Sequence, residues 1–123
     1  AMEIRMTGRL SNVNKLGLVG GLAALDDTAY FEEMRLKLGR GRAKLVAMAA
    51  DLGRPIAPDP QGSFIYMDVG MPAKDFAAKM LDRNVRVVGE RWSDLPNWTR
   101  ICVGLDHEID KCHAAAKEIL TSI

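Results

Sequence analysis

The stretch Asn97-Trp98-Thr99-Arg100-Ile101-Cys102-Val103-Gly104 decides the fold. It reads as a β-strand, Thr99 to Val103, that carries one arginine near its start and ends at a glycine. Asp106 follows two residues on and opens an amphipathic stretch, so the strand feeds a capped helix with an apolar face of Ile109, Cys112, Ala116 and Ile119 or Leu120. A guanidinium is a planar fork of donors that matches a carboxylate or phosphate bidentately. An arginine at the mouth of a rigid strand is therefore a candidate anion receptor.

Upstream of that strand lies a loop of about nine residues with Glu90, Arg91 and Trp92, preceded by a short strand, Val85-Arg86-Val87-Val88. A helix from Pro72 to Arg83 comes before it, with Phe76, Ala77, Met80 and Leu81 on one face and a left-handed Asn84 at its end. The run Ser63 to Val69, bounded by Gly62 and Gly70, is a further strand. A long amphipathic helix over 28–52 precedes it, with a stripe of Phe31, Met34, Leu38, Leu45, Met48, Ala49 and Leu52. Asp27 or Thr28 caps this helix, Gly39 and Gly41 are places where it could bend, and Gly53 and Pro55 stop it. Residues 12–25 form a weaker, glycine-rich helix capped by Ser11 or Asn12. The order α-α-β-α-β-β-α predicts an α+β fold, a small three-stranded sheet with helices on one face, preceded by the long amphipathic helix. Residues 1–11 read as a lead-in segment, with Ala1-Met2 as a cloning scar, and 12–123 as one domain.

The totals agree with this size. The chain has 123 residues, 48% hydrophobic and 27% charged, and a net charge of +1. That is one ordinary globular domain with no global pull toward nucleic acid or an anionic membrane. No apolar run approaches the ~20 residues of a membrane span, and a cytoplasmic location is expected.

The chemistry-bearing residues are few. Arg35, Lys37, Arg40, Arg42 and Lys44 form a basic cluster on one helix, but Glu32 and Glu33 precede it and the strands lack the aromatic pattern of an RNA-binding sheet. A solvated helix face is the expectation, and no nucleic-acid partner. Cys102, His107, Cys112 and His113 lack the paired spacing of a zinc site. No metal is expected. No nucleophile-and-base set is legible, and Gly17-Leu18-Val19-Gly20-Gly21 has neither dinucleotide nor Walker spacing. Arg100 and Arg91 remain. For a lone strand arginine, a cross-strand charge pair is the ordinary role. Trp98 and Ile101 beside Arg100, both expected to be buried, and the long loop carrying Arg91 favour a pocket instead.

Four segments in order resemble one family. Leu22-Ala23-Ala24-Leu25-Asp26-Asp27 is similar to an AALxD helix end, and Gly62 to Asp68 to an xNFxxxD strand. Asn84 to Trp92 is similar to an xVxVGRxW strand and loop, and Thr99 to Gly104 to an xRIxVG signature. Together they resemble the C-terminal small domain of a fold type I pyridoxal-phosphate-dependent aminotransferase, class I/II, on the histidinol-phosphate aminotransferase-like branch.

The resemblance implies an enzyme that moves an amino group between an amino acid, or histidinol phosphate, and a 2-oxo acid, as a homodimer. It implies that Arg100 grips the substrate carboxylate or phosphate, with Arg91 as a less uniform loop partner. Ser63 stands where the family often has asparagine, so an amide contact there is not carried over. The Schiff-base lysine and the other cofactor-binding groups of the family lie in a large domain that nothing in this chain matches. By itself the chain is expected to hold no catalytic residue, to bind pyridoxal phosphate poorly and to be inactive. A stand-alone α+β binding or regulatory module is the alternative expectation.

Overall fold

The computed structural model describes residues 14–121, so the lead-in segment, Ser11, Asn12 and Val13 lie outside the described residues. The described chain contains α1 (Lys15–Asp26), α2 (Thr28–Asp51), β1 (Phe64–Asp68), α3 (Ala73–Leu81), β2 (Trp98–Cys102) and α4 (Asp106–Thr121). The class is α+β, as the sequence predicts. The chain divides into two compact units at Arg35 and Leu36.

In the first unit, Asn14 rather than an earlier residue caps α1, its Oδ1 accepting from Gly17 N–H at 2.7 Å. Asp27 caps α2 by accepting from Tyr30 N–H at 3.0 Å. Each cap satisfies one of the donors that a helix start leaves unpaired. No residue of α1 is buried. Phe31, expected in the apolar stripe of the second helix, is 62% exposed.

The second unit holds the core. Leu45, Met48 and Ala49 from α2 meet Ile65 and Met67 of β1, Phe76 and Met80 of α3, Ile101 of β2, and Ile109, Cys112, Ala116 and Ile119 of α4. These strand residues share one face, because side chains alternate along a strand. The helices thus cover one side of the sheet and leave Phe64, Tyr66, Asp68, Trp98 and Arg100 half-buried on the other. Gly41 is buried, and a methyl there would overlap Val103 Cγ1, so this glycine permits close approach. The helix continues through it to Asp51.

Two helix ends set where the strands begin. Gly53 (φ +62°) ends α2, with Gly53 N–H donating to Ala50 O and Arg54 N–H to Ala49 O. Asn84 (φ +57°) ends the α3 region in the same way, with Asn84 N–H donating to Leu81 O and Val85 N–H to Met80 O. Both are Schellman closures, which require a left-handed residue at the turn. Asn84 tolerates that conformation better than most residues other than glycine.

Three expectations are corrected. The sheet has two strands, β1 and β2, antiparallel, with Tyr66 opposite Arg100 and Met67 opposite Thr99. The segment Val85 to Val88 contributes only one bridge, Val88 to Arg100. Val88 N–H donates to Arg100 O at 3.2 Å, but the buried Thr99 hydroxyl takes Val88 O. Val88 O accepts from that hydroxyl and not from Arg100 N–H, so the hydrogen-bonded pair is half made and the ladder stops. Second, Asp106 is the first helical residue of α4 rather than its cap. Glu108 reaches back to accept from Leu105 N–H at 2.7 Å, one half of a capping box. Third, Leu38 is 40% exposed, outside the core that the stripe predicts.

Candidate functional site

β1 and β2 build the half-exposed sheet face as a short aromatic pavement. The rings of Phe64 and Tyr66, two residues apart on β1, meet edge to face with centroids 5.4 Å apart. The Tyr66 ring meets Trp92 from the following loop at 5.0 Å. The Arg100 guanidinium lies 5.3 Å from the Phe64 centroid, and Arg91 lies 5.8 Å from that of Trp92. Both separations suit attraction between a cation and the negative face of a ring. Arg100 therefore stands at one end of this run of contacts and Arg91 at the other.

Arg100 differs from an ordinary surface charge. Its Nε is buried and has no hydrogen-bond partner. A buried N–H of a charged group left unpaired costs free energy, and an anion seated against it removes that cost. The Arg100 backbone is held from both sides, through the β1 ladder and the Val88 bridge. Arg91 is exposed on its loop. Trp98, expected to be buried beside Arg100, is half-buried, whereas Ile101 is 3% exposed.

Other candidates have structural tasks. Arg42 donates to the carbonyls of Gln61 and Gly62 at 2.9 and 3.0 Å and fastens the loop before β1. Lys44 pairs with Asp110 at 2.7 Å, and Arg35 with Glu32 at 2.8 Å. The basic cluster is thus largely engaged within the chain. His113 Nε2 lies 2.9 Å from Asp51 Oδ2, and Lys117 Nζ lies 3.1 Å from the same oxygen. The Lys117 hydrogen bond, then that of His113, holds the Asp51 carboxyl below its ordinary value of 3.8. Burial pushes the Cys112 thiol from 9.0 up to about 11, which makes it a poor nucleophile at neutral pH. Among the described residues no group of three histidine, cysteine or acidic side chains gathers as a metal site. Among them, too, no helix is long and apolar enough to cross a membrane.

The sequence reading missed Phe64, Tyr66 and Thr99 as members of this site. The signal was available for the first two. Phe64 and Tyr66 lie two apart, and Ile65 and Met67 between and beyond them belong to the opposite face.

Comparison with known proteins places this geometry in context. The family model for aminotransferases of class I and II matches residues 4–119. Histidinol-phosphate aminotransferase 2 of Methylococcus capsulatus is 36% identical over 109 residues, covering 89% of this chain and 29% of its own length. Its namesake from Ralstonia nicotianae is 36% identical over 115 residues, covering 89% of this chain and 30% of its own. A solved histidinol-phosphate aminotransferase from Sinorhizobium meliloti, in complex with pyridoxal-5'-phosphate, superposes with a TM-score of 0.74 at 25% identity. That match covers 98% of this chain and 34% of the other. A chain from Erwinia carotovora atroseptica shares the fold at a TM-score of 0.82 and 24% identity, over 94% of this chain and 33% of its own. The chain therefore spans about 30% of the length of the curated relatives it matches. With the xRIxVG strand, the preceding loop and the long helix all inside the matched region, the chain belongs to the aminotransferase class I and II family.

Proposed function

We propose that this chain is the substrate-orienting small domain of a cytoplasmic aminotransferase, and that Arg100 anchors the carboxylate or phosphate of an amino acid or histidinol phosphate. The buried, unpartnered Nε of Arg100 carries this reading. A strand-mounted guanidinium fixes the substrate's anionic end, and fixing one end orients the bond to be broken at the other. Arg91, at the far end of the ring contacts, borders the same face and meets the second charge of a substrate that has one. The names of the relatives support the substrate class.

In such an enzyme pyridoxal phosphate supplies an electron sink for bonds at the amino-acid carbon. Among the described residues, those of the Arg100 face do not fit that group. The face that carries Arg100 presents Phe64, Tyr66, Asp68, Trp98 and Cys102, with no amine to condense with an aldehyde. The chain alone is therefore inactive in this reading. A second copy covers the exposed Leu16, Leu22 and Leu25 of α1, which are 85%, 55% and 79% exposed.

The test has two arms. Titrating the chain with inorganic phosphate and following the Arg100 Nε–H by NMR is expected to shift that signal. No shift at saturating phosphate overturns the anchor. In a protein that also carries the cofactor-binding domain, Arg100→Lys is expected to lower kcat/KM about 30- to 1,000-fold, as for truncating a buried charge pair. An unchanged kcat/KM overturns the substrate role. A visible band formed stoichiometrically by the chain with pyridoxal phosphate, and lost on replacing one lysine, overturns the inactivity.

A further inference from the structure

β2 is left open along part of its outer edge. The ladder with β1 alternates, so the backbone groups of Arg100 and Cys102 point away from β1. Val88 N–H takes Arg100 O, whereas the N–H and C=O of Cys102 have no partner among the described residues. Beside Cys102 the segment 84–87 departs from β2 and leaves a cavity of about 660 Å³ between itself, the end of β2 and the first turns of α4.

The cavity has an apolar floor and a cationic rim. Val85, Val87 and Val103, partly buried, contribute to the floor, and Arg86, Arg100 and Lys111 to the rim. Its one carboxylate, on Glu108, is held by Leu105 N–H. The side chains of Arg86 and Lys111 make no hydrogen bond or ion pair among the described residues, and the buried Nε of Arg100 is also unpartnered. A bare strand edge needs a donor and an acceptor, the floor needs apolar side chains, and the rim needs negative charge.

We propose that the edge of β2 at Cys102 receives an extended acidic peptide that adds as a strand. Cys102 N–H donates to the peptide backbone, and Cys102 O accepts from it. Alternate apolar side chains then turn to the floor while acidic ones turn to Arg86, Arg100 and Lys111. A small anion would meet the rim and leave both the edge and the floor unused. The site shares Arg100 with the substrate role and adds the backbone of Cys102, Arg86 and Lys111, which that role does not use.

The test uses the isotopically labelled chain and a capped pentapeptide alternating valine and glutamate. That peptide is expected to shift the Cys102 amide signal and to slow its hydrogen exchange. The double substitution Arg86→Glu with Lys111→Glu is expected to weaken binding about tenfold or more, as for reversed charges at an interface rim. Arg86→Gln, a milder change at an exposed position, is expected to weaken it less. A peptide methylated on alternate backbone nitrogens, and one with lysine for glutamate, are expected to leave Cys102 unmoved. The proposal is overturned if the acidic peptide does not move Cys102, if the lysine or methylated peptide moves it equally, or if inorganic phosphate alone slows its hydrogen exchange equally. Those results leave the Arg100→Lys kinetics untouched, so this proposal and the substrate role fail separately.

Discussion

Two helices of this chain use apolar residues in opposite ways. α4 buries Ile109, Cys112, Ala115, Ala116, Ile119 and Leu120, one stripe at helical spacing, and exposes the polar remainder. α1 reads Leu-Gly-Leu-Val-Gly-Gly-Leu-Ala-Ala-Leu over 16–25, apolar on every side, and buries nothing. A stripe needs one neighbour. A helix apolar all round needs several, and is stable only inside a larger structure. Periodicity, more than total hydrophobicity, therefore separates the part of this chain that makes its own core from the part that requires company.

The largest expected effect tests that contrast directly. Phe76→Ala, at a position fully removed from solvent, is expected to cost about 3–5 kcal/mol in urea unfolding. Leu22→Ala, 55% exposed, is expected to fall within about 0.5 kcal/mol in dilute solution. Comparable losses at the two sites would mean that α1 contributes to the same core.

A finer version lies within α2. Gly41→Ala must displace Val103 and is expected to cost about 1–3 kcal/mol, less the helix propensity gained. Gly39→Ala meets nothing within 4 Å and is expected to stabilise by about 0.5–1 kcal/mol. Thermal melting of the two variants should move in opposite directions, and equal shifts would break the close-approach argument.

The two thiols offer a chemical version. Alkylation followed by mass spectrometry should label the exposed Cys102 well before the buried Cys112. Because folding raises the Cys112 pKa, its contribution to stability is intact below the ordinary 9.0 and is lost as pH rises through about 11. Cys112→Ala is expected to flatten that alkaline decline, whatever it costs in packing.

The smallest effect is at Asp51. Its pKa is lowered in the fold, so its contribution is present above the ordinary carboxylate value and is lost as pH falls through the lowered one. Asp51→Asn should flatten the acid limb of the stability profile and leave the neutral plateau nearly unchanged, since exposed ion pairs contribute little. An unchanged acid limb would remove Asp51 from that account.

Much of this was legible in the sequence because local chemistry and global fold agree. Asn84 reads as left-handed, and Ile109, Cys112 and Ala116 read as one buried face. Both follow from residue type and spacing alone. The third strand did not follow. Val85 to Val88 is β-like in composition, but composition does not register that the Thr99 hydroxyl competes for Val88 O. Phe31 and Leu38 show a related limit, since a stripe declares a face apolar without saying what covers it. At the site, Arg100 and Arg91 stood out by type and position. The ring contacts between them arise from β1 and a loop about 26 residues later, a proximity that only the folded chain reveals.

The Val88 attachment has a consequence for how this protein can change over time. Val88 is tied to the adjacent residues Thr99 and Arg100, so the stretch between them is a loop with pinned ends. Closing a flexible loop of twice the length costs only about 0.6 kcal/mol more. Insertions and substitutions around Glu90, Arg91 and Trp92 can thus accumulate at small energetic cost while the arginine on the strand stays in register. The loop is the adjustable side of this face, able to change in length and sequence without rebuilding the frame that holds Arg100.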